Sequence, residues 1–451
     1  MTSVKSEALD IHEGRFLEAV NFARNIFGLH KSITGKGIDE AFQQLKAHTN
    51  CDLLEFPTGA EILDWRVPES WVCDSLEVLD CETSEVIVCL DHPLRVASHS
   101  NAFSGELTGL ELKMHCSVAN NLPTSIKHQY VYYDDSWRIS LTQDEWNSLE
   151  DEKKYAVELK TRHYPGSLKV AEIIIPGAQT QEVTFLSHMC HPAQFNDGLV
   201  GVLVNFYLCG WLREFYPKPS YTYKFLFMPE TIGSHAYCSD SKRFENMHMA
   251  IFTEMLALGT PLHIQMSEHP ESYVTRALKA AAEGVIPSAR FTEFLGVIRN
   301  DEKVFGAPGI DVPSASITRA SGRENADHPY RRYHTSEDTI ENSDLGALRE
   351  AIKYIQRFIY VLENDLYVKR NFIGIPMLSR HGLFFNPSEH REKYNLQEKL
   401  VWQIKNDKLL SEICLDLECD FVELNELIAA WESKNLISSK PREIEKYIET
   451  N

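Results

Sequence analysis

The stretch EVTFLSHMCHPAQFNDGLVGVLVNFYL, residues 182–208, decides how the chain is read. It opens on an apolar run from Val183 to Leu186, of a length and composition that suit a buried strand. A polar crest with His188, Cys190, His191 and Asp197 follows, and then a long apolar, helix-like segment from Leu199 to Leu212. Strand, polar crest and helix in this order are how α/β enzymes present side chains at the carboxyl edge of a sheet. A lone histidine is ordinarily a satisfied core or surface residue. A His-x-x-His-x5-Asp cluster on one crest is better suited to a metal, because imidazole and carboxylate are ligands that Zn²⁺ takes.

Outward from this stretch, residues 182 to about 365 alternate strand and helix patterns. Strands are expected over 183–187, 222–228, 249–254, 291–298 and 312–318, and helices over 199–214, 234–244, 272–283 and 344–364. This alternation implies an α/β fold with a mostly parallel sheet flanked by helices. Residues 9–48 read as helix interrupted by KSITGKG at 31–37. From Asp64 to about Ser117 short β-rich runs (LEVLD, EVIVCL, LELKMH) predict a small inserted β domain, after which QYVYY and AEIIIPG resume the main fold. Beyond residue 370 three short helices, 395–405, 408–415 and 421–434, resemble a helix-turn-helix or winged-helix module. The domain expectation is therefore 1–63 with 118–368, an insertion at 64–117, and a C-terminal module at 369–451.

Other polar residues fall just after predicted strands. Glu230, in MPETIGSHAY, follows YKFLFM and reads either as a helix-capping acid or as a general base. Glu254 follows MAIFT, and Asp301 and Glu302 stand in RNDEKVFGAPG. His334 opens YHTSEDTIENSD, where capping accounts for the hydroxyls and acids but not for the histidine.

With 65 acidic against 45 basic residues the net charge is −20, which argues against a general nucleic-acid binder, whose phosphate contacts need a basic face. No apolar run reaches the ~18–20 residues of a membrane span. The N-terminus has no secretory pattern, and the ten cysteines form no regular framework, so a cytoplasmic location with reduced thiols is expected.

The order His188, Asp197, Glu230, Glu254, His334 resembles the zinc aminopeptidases, the co-catalytic metallopeptidase fold. SHMCHP with NDGLVG, PETIGS and YHTSEDT are most similar to a subgroup of aminopeptidase-like proteins. These carry a β-rich insertion and a C-terminal winged helix, and are often associated with polysaccharide biosynthesis. KSITGKG, FPTGAEILDWRVPESW, YYDDSWRISLT and SRHGLF extend the resemblance over nearly the whole chain. It implies His188, Asp197 and His334 as metal ligands and Glu230 as the general base. Thr231 and Cys190 depart from the wider family, which has carboxylates there; Glu254 and His191 are further candidate ligands.

The implied cofactor is one zinc ion, with two allowed. The implied reaction is attack of zinc-bound water on an amide, with Glu230 as base and then acid. Asp301, Glu302, Arg319 and Arg323 are candidate substrate-binding groups. The partner expected is a peptide or small amide substrate, with a homo-oligomer allowed and neither nucleic acid nor membrane. Two rival readings are an amidase or deacylase acting on a sugar or metabolite, and a degenerate hydrolase scaffold that binds or regulates.

Overall fold

Residues rich in Val, Ile, Phe and Tyr form the central sheet. The computed structural model describes residues 9–321, 328–404 and 408–442. Eight strands make the sheet: β1 (Asp52–Pro57), β2 (Ser167–Ile175), β3 (Glu182–His188), β4 (Thr222–Met228), β5 (Met247–Thr253), β6 (His263–Gln265), β7 (Arg290–Thr292) and β8 (Ser314–Thr318). Their order across the sheet is β1-β2-β4-β3-β5-β8-β6-β7. The middle four, β4-β3-β5-β8, are parallel. Strand β3 is buried from Val183 to His188, which explains its unbroken apolar run: both faces are covered.

The covering helices include α1 (Glu13–Phe27), α2 (Lys36–Thr49), α3 (Val200–Phe215), α4 (Ile232–Cys238), α5 (Tyr273–Ala282) and α6 (Leu345–Asn364). Helix α3 is apolar all round because it lies between α1 on one side and β3 and β5 on the other. With its preceding turn it spans Phe195–Phe215, long and apolar enough to cross a membrane, although no 18-residue apolar run was expected; 94% of that window is buried inside the protein. It is the core helix. Gly201 lets it approach the sheet, since a Cβ there would stand 2.0 Å from the carbonyl oxygen of Thr253.

The small second sheet is antiparallel, with Val86–Cys89, Ser70–Asp80, Lys154–Tyr164 and Phe103–Thr108 side by side. It has its own core, including Trp71, Leu76, Val78, Ile139, Tyr155 and Val157. Lys154–Tyr164 pairs with both Ser70–Asp80 and Phe103–Thr108, so the β-rich segment extends well beyond the expected end at 117. Two local readings also change. The LELKMH run lies in a helix, Gly109–Met114, because Thr108 and Glu111 close a capping box at its start. Tyr130 makes only an isolated bridge to Ser98, so QYVYY is a loop.

At the C-terminal end, Leu366–Arg370 pairs with Lys408–Leu409 and Ile437–Pro441 in a three-stranded sheet, alongside helices Arg391–Gln403, Leu410–Leu417 and Phe421–Glu432. This unit packs on the main fold through α5, and Arg357 in α6 pairs with Asp420 at 2.8 Å.

Replacing Gly201 by alanine forces α3 away from β5. The expected cost is about 3 kcal/mol, at the upper end of overpacking effects, and is measured as a loss of stability in chemical denaturation.

Candidate metal centre

The sheet delivers the polar residues to one edge. His188 ends β3 in register with Met228 at the end of β4, two residues before Glu230, and Glu254 follows the last residue of β5. Between β3 and α3 the chain breaks helical geometry at Asp197 (φ −85°, ψ 79°) and Gly198 (φ 107°, ψ −56°). Gly198 is required twice over. Its backbone is one that side chains rarely adopt, and a Cβ would lie 2.7 Å from Cε1 of His188. Asp338 holds the turn: its carboxylate accepts the amides of Asn196 at 3.0 Å and Asp197 at 3.1 Å, and its carbonyl accepts that of Phe195 at 3.0 Å.

Asp197 is fully enclosed, and its two oxygens face different histidines. Oδ1 stands 3.7 Å from Nε2 of His188, whose Nε2 also meets Glu254 Oε2 at 2.9 Å. Oδ2 stands 2.7 Å from Nε2 of His334 and 3.4 Å from Nδ1 of His191. The donor atoms of His188, Asp197 and Glu254 lie within 4.8 Å of one another, as do those of His128, His191 and His334, and those of His188, Cys190 and His191. The expected set of His188, Asp197 and His334 is thus divided, with His188 beside Glu254 and His334 beside His191 and His128.

These residues fit a divalent cation. Asp197 Oδ2 and His334 Nε2 are buried without hydrogen-bond partners. The 2.7 Å approach of His334 to Asp197 is short but lacks hydrogen-bond geometry, as when two donors aim at a common third atom. Burial opposes charge on His188, yet the Cys190 and Glu254 side chains raise it well above its ordinary value. Burial likewise opposes charge on His191, and Asp197, Cys190 and Glu230 raise it. Burial pushes Glu254 up to about 8 against the pull of His188. Both members of the His188–Glu254 pair move upward, so together they retain protons at neutral pH that a cation would displace.

Glu230 sits at the mouth of this cluster, 3.2 Å from Nε2 of His191. Burial would raise its carboxyl, but the His191 hydrogen bond and the charges of His188 and His191 hold it down at about 2. The next residue, Thr231, has φ 61° and ψ −60°, and the Ile232 amide donates to the Glu230 carbonyl at 2.6 Å. This is the rare, strained γ-turn with positive φ, at a β-branched residue. Asp301 secures it by accepting the Thr231 amide at 2.8 Å and the Ser234 hydroxyl at 2.5 Å.

Of the expected substrate-binding groups, Asp301 therefore lies at the site but supports its backbone. Glu302 is buried and accepts from the Asn300 amide at 3.0 Å and Gln265 at 3.2 Å, which assigns it to internal packing. Arg319 lines a different cleft and pairs with Glu350 at 3.0 Å. Arg323 lies outside the described residues.

A cleft of about 580 Å³ opens over Glu230 and His191, walled by Trp65, Tyr130, Tyr132, Tyr133, His235 and Lys303. His128 and Asp338 are absent from the sequence-based candidates, and so is Lys31 of KSITGKG. Lys31 is buried, donates to the Ile26 carbonyl at 2.8 Å, and is lowered by burial to about 7. Asp338 was within reach, since it belongs to YHTSEDT. No spacing rule links a histidine at 128 to the others.

The family described as a domain of unknown function, DUF4910, matches residues 20–365. A Clostridium acetobutylicum protein, provisionally named for polysaccharide biosynthesis with an aminopeptidase-like domain, is 26% identical over 81% of this chain and 83% of its own length. A Clostridium acetobutylicum structure provisionally described as a peptidase superposes with TM-score 0.84 at 23% identity, over 94% of this chain and 96% of its own. A zinc aminopeptidase from Bacillus subtilis superposes with TM-score 0.56 at 13% identity, over 77% of this chain and 94% of its own. The fold is aminopeptidase-like, with a large mostly parallel sheet flanked by helices.

Because His188, His191 and Glu254 hold protons in the metal-free site, Zn²⁺ binding is expected to release protons and to tighten as pH rises from 6 to 8. Calorimetry of chelator-stripped protein in buffers of different ionisation enthalpy checks this. Binding that takes up no proton and gives none off contradicts it.

Proposed function

The chain belongs to the DUF4910 family, and on that premise we propose that it is a metal-dependent hydrolase of amide bonds. The observation that carries this reading is the buried Asp197 carboxylate flanked by His188 and Glu254, with Glu230 beside it at an open cleft. His188, Asp197 and Glu254 are three protein ligands, the number that leaves a catalytic zinc an open position. Zinc bound there supplies Lewis acidity, polarising a carbonyl and lowering the pKa of water to about 7.

The protein's own groups handle orientation and the proton. Glu230, ionised and facing the cleft, takes the proton from the attacking water and passes it to the departing amine. His191 orients its carboxylate from 3.2 Å, and the Thr231 turn, braced by Asp301, fixes its backbone. Holding a base in one geometry in this way lowers the entropic part of the barrier.

The cleft wall favours a second, related reading of the substrate. Among the described residues that line it, Glu230 is the sole carboxylate, while His191, His235 and Lys303 are the basic groups. A free ammonium group therefore finds no additional acid on the wall, and Thr231 contributes none. The flat faces of Trp65, Tyr130, Tyr132 and Tyr133 suit a ring. These features, with the name of the Clostridium relative, support an N-acylated sugar as the substrate, hydrolysed by the same machinery.

We read the C-terminal unit as winged-helix-like from its helix–strand–helix–helix–strand order. Its last helix, Phe421–Glu432, carries Glu423, Glu426 and Glu432 and no Lys or Arg, which supports packing or docking over nucleic-acid contact.

Glu230→Gln is expected to keep its zinc and to lose about 10²–10⁴-fold in kcat; metal analysis beside turnover of aminoacyl-amides and N-acylated amino sugars checks this. Equal rates in variant and wild type on whichever class is accepted overturn the role. Asp301→Ala, which releases the strained turn, is expected to lower kcat about 10–100-fold with little change in zinc content, in line with the cost of misplacing a catalytic group by about an ångström. Steady-state kinetics and metal analysis of the folded variant check it.

A further inference from the structure

The cleft over Glu230 is walled by side chains that a folded core would ordinarily claim. Trp65, Tyr130 and Tyr133 are 37%, 54% and 60% exposed, and all three line it. Large aromatic rings left wet on one concave wall mark a binding surface rather than packing. Trp65 lies 4.9 Å from the His235 ring at 35°, and Tyr130 stacks on Tyr132 at 4.7 Å and 13°. Tyr133 is held by its hydroxyl, which donates to the Arg66 carbonyl at 2.7 Å. A short ladder moors the segment that carries these tyrosines to the metal centre. Ser336 donates its amide to the Ile126 carbonyl at 2.8 Å, Ser336 Oγ accepts the Ile126 amide at 3.0 Å, and the His128 amide donates to the His334 carbonyl at 2.8 Å.

The polar groups of the wall are placed by the braced Thr231 turn. His235 lies one helical turn after it, and its Nδ1 meets the Thr231 carbonyl at 2.8 Å. A carbonyl only accepts, so the proton is on Nδ1 and Nε2 is left as an acceptor for a hydroxyl. Burial lowers His235 below its ordinary value, and the nearby Lys303 charge adds to this, which keeps the ring neutral at pH 7. Lys303 stands two residues after Asp301, the carboxylate that grips Thr231 and Ser234. It is half-buried, and among the described residues it has no carboxylate partner. The acid of the wall, Glu230, is already engaged by His191 at 3.2 Å. In a chain of net charge −20, Lys303 is therefore a cation kept free at the cleft.

We infer that the substrate is an anionic N-acylated amino sugar, its carboxylate or phosphate held by Lys303 while its ring lies against Trp65 and His235. The inference rests on the hydrolase reading above and adds the charge of the substrate to it. Lysine is a compact point charge that serves a carboxylate or a phosphate alike. His235 follows Thr231 by one helical turn, about 5.4 Å, a span comparable to a sugar ring. An acylated nitrogen facing Glu230 and a hydroxyl on Nε2 of His235 therefore fit one ring, with the anionic group beyond them at Lys303. A neutral sugar makes the same ring contacts and leaves Lys303 without a counter-charge. The pair is only half-buried, so added salt screens it.

Full-length protein is titrated by calorimetry at low salt with N-acetylglucosamine, N-acetylglucosamine 6-phosphate and N-acetylglucosaminuronic acid. One or both anionic sugars are expected to bind about tenfold or more tightly than the neutral one, the worth of a charge-assisted contact. The tighter of the two names the anion. Lys303→Gln is expected to cut the preference to about twofold or less, and Lys303→Arg to keep most of it, a contrast that a merely structural lysine would not produce. Equal affinity for neutral and anionic sugars, no binding of any of the three, or an unchanged preference in folded Lys303→Gln overturns the inference. The wild-type comparison decides even where a variant does not fold. Failure of the hydrolase reading shows differently, as an anionic preference present in the wild type with no loss of turnover in Glu230→Gln.

Discussion

A carboxylate enclosed in the protein interior, Asp197, sets the terms for everything around it. An isolated buried charge is unstable, and burying it is tolerated only with paired charge or a metal. Asp197 meets His188 through one oxygen and His334 and His191 through the other. Glu254, Asp301, Glu302 and Asp338 are further buried acids around it, and burial raises all four above their ordinary values. So much enclosed acid is an electrostatic load that hydrogen bonds and histidines offset in part. A divalent ion is the natural complement of the remainder.

The scaffold places this load by local departures from regular geometry. Gly198 takes a backbone reserved for glycine so that Asp197 can turn towards His188, and Thr231 takes a strained turn so that Glu230 can face the cleft. Each departure is over-determined from outside. Asp338 grips the first through three amides, and Asp301 grips the second through an amide and a hydroxyl. Strain of about 1–3 kcal/mol per residue persists only where the surroundings enforce it, and it gathers at working sites.

Much of this was legible in the amino-acid order, for definite reasons. Buried parallel strands and a core helix leave continuous apolar runs, so 182–208 announced strand, crest and helix, and β4 lay at 222–228 as read. His188, Asp197, Glu230, Glu254 and His334 stood at strand ends, where such folds expose side chains, and the structure brings them together. What escaped depends on distant pairing. The fourth strand of the insertion lies at 154–164 and His128 meets His334 across the fold, relations that no local periodicity records. Asp301 and Glu302 looked like cleft residues because an acid after a strand reads the same whether it faces solvent or braces a neighbouring turn. The Thr108–Glu111 capping box was a local signal, overridden in the reading by apolar alternation in LELKMH.

The short ladder joining residues 126–128 to 334–336 has a consequence for how the protein matures. Its partners Ile126 and Ser336 are separated by 210 positions. Closing so long a loop carries an entropic cost that only later contacts offset, so pairings of this kind form late in folding. On a ribosome the first histidines emerge well before His334, and they remain apart until the main sheet and the insertion have both closed. The nascent chain therefore presents the local His188, His191 and Asp197 cluster before the His128–His334 side of the site exists. Closure of the His128–His334 side of the site is therefore the last stage of its assembly, joining two regions that are otherwise distant in the sequence.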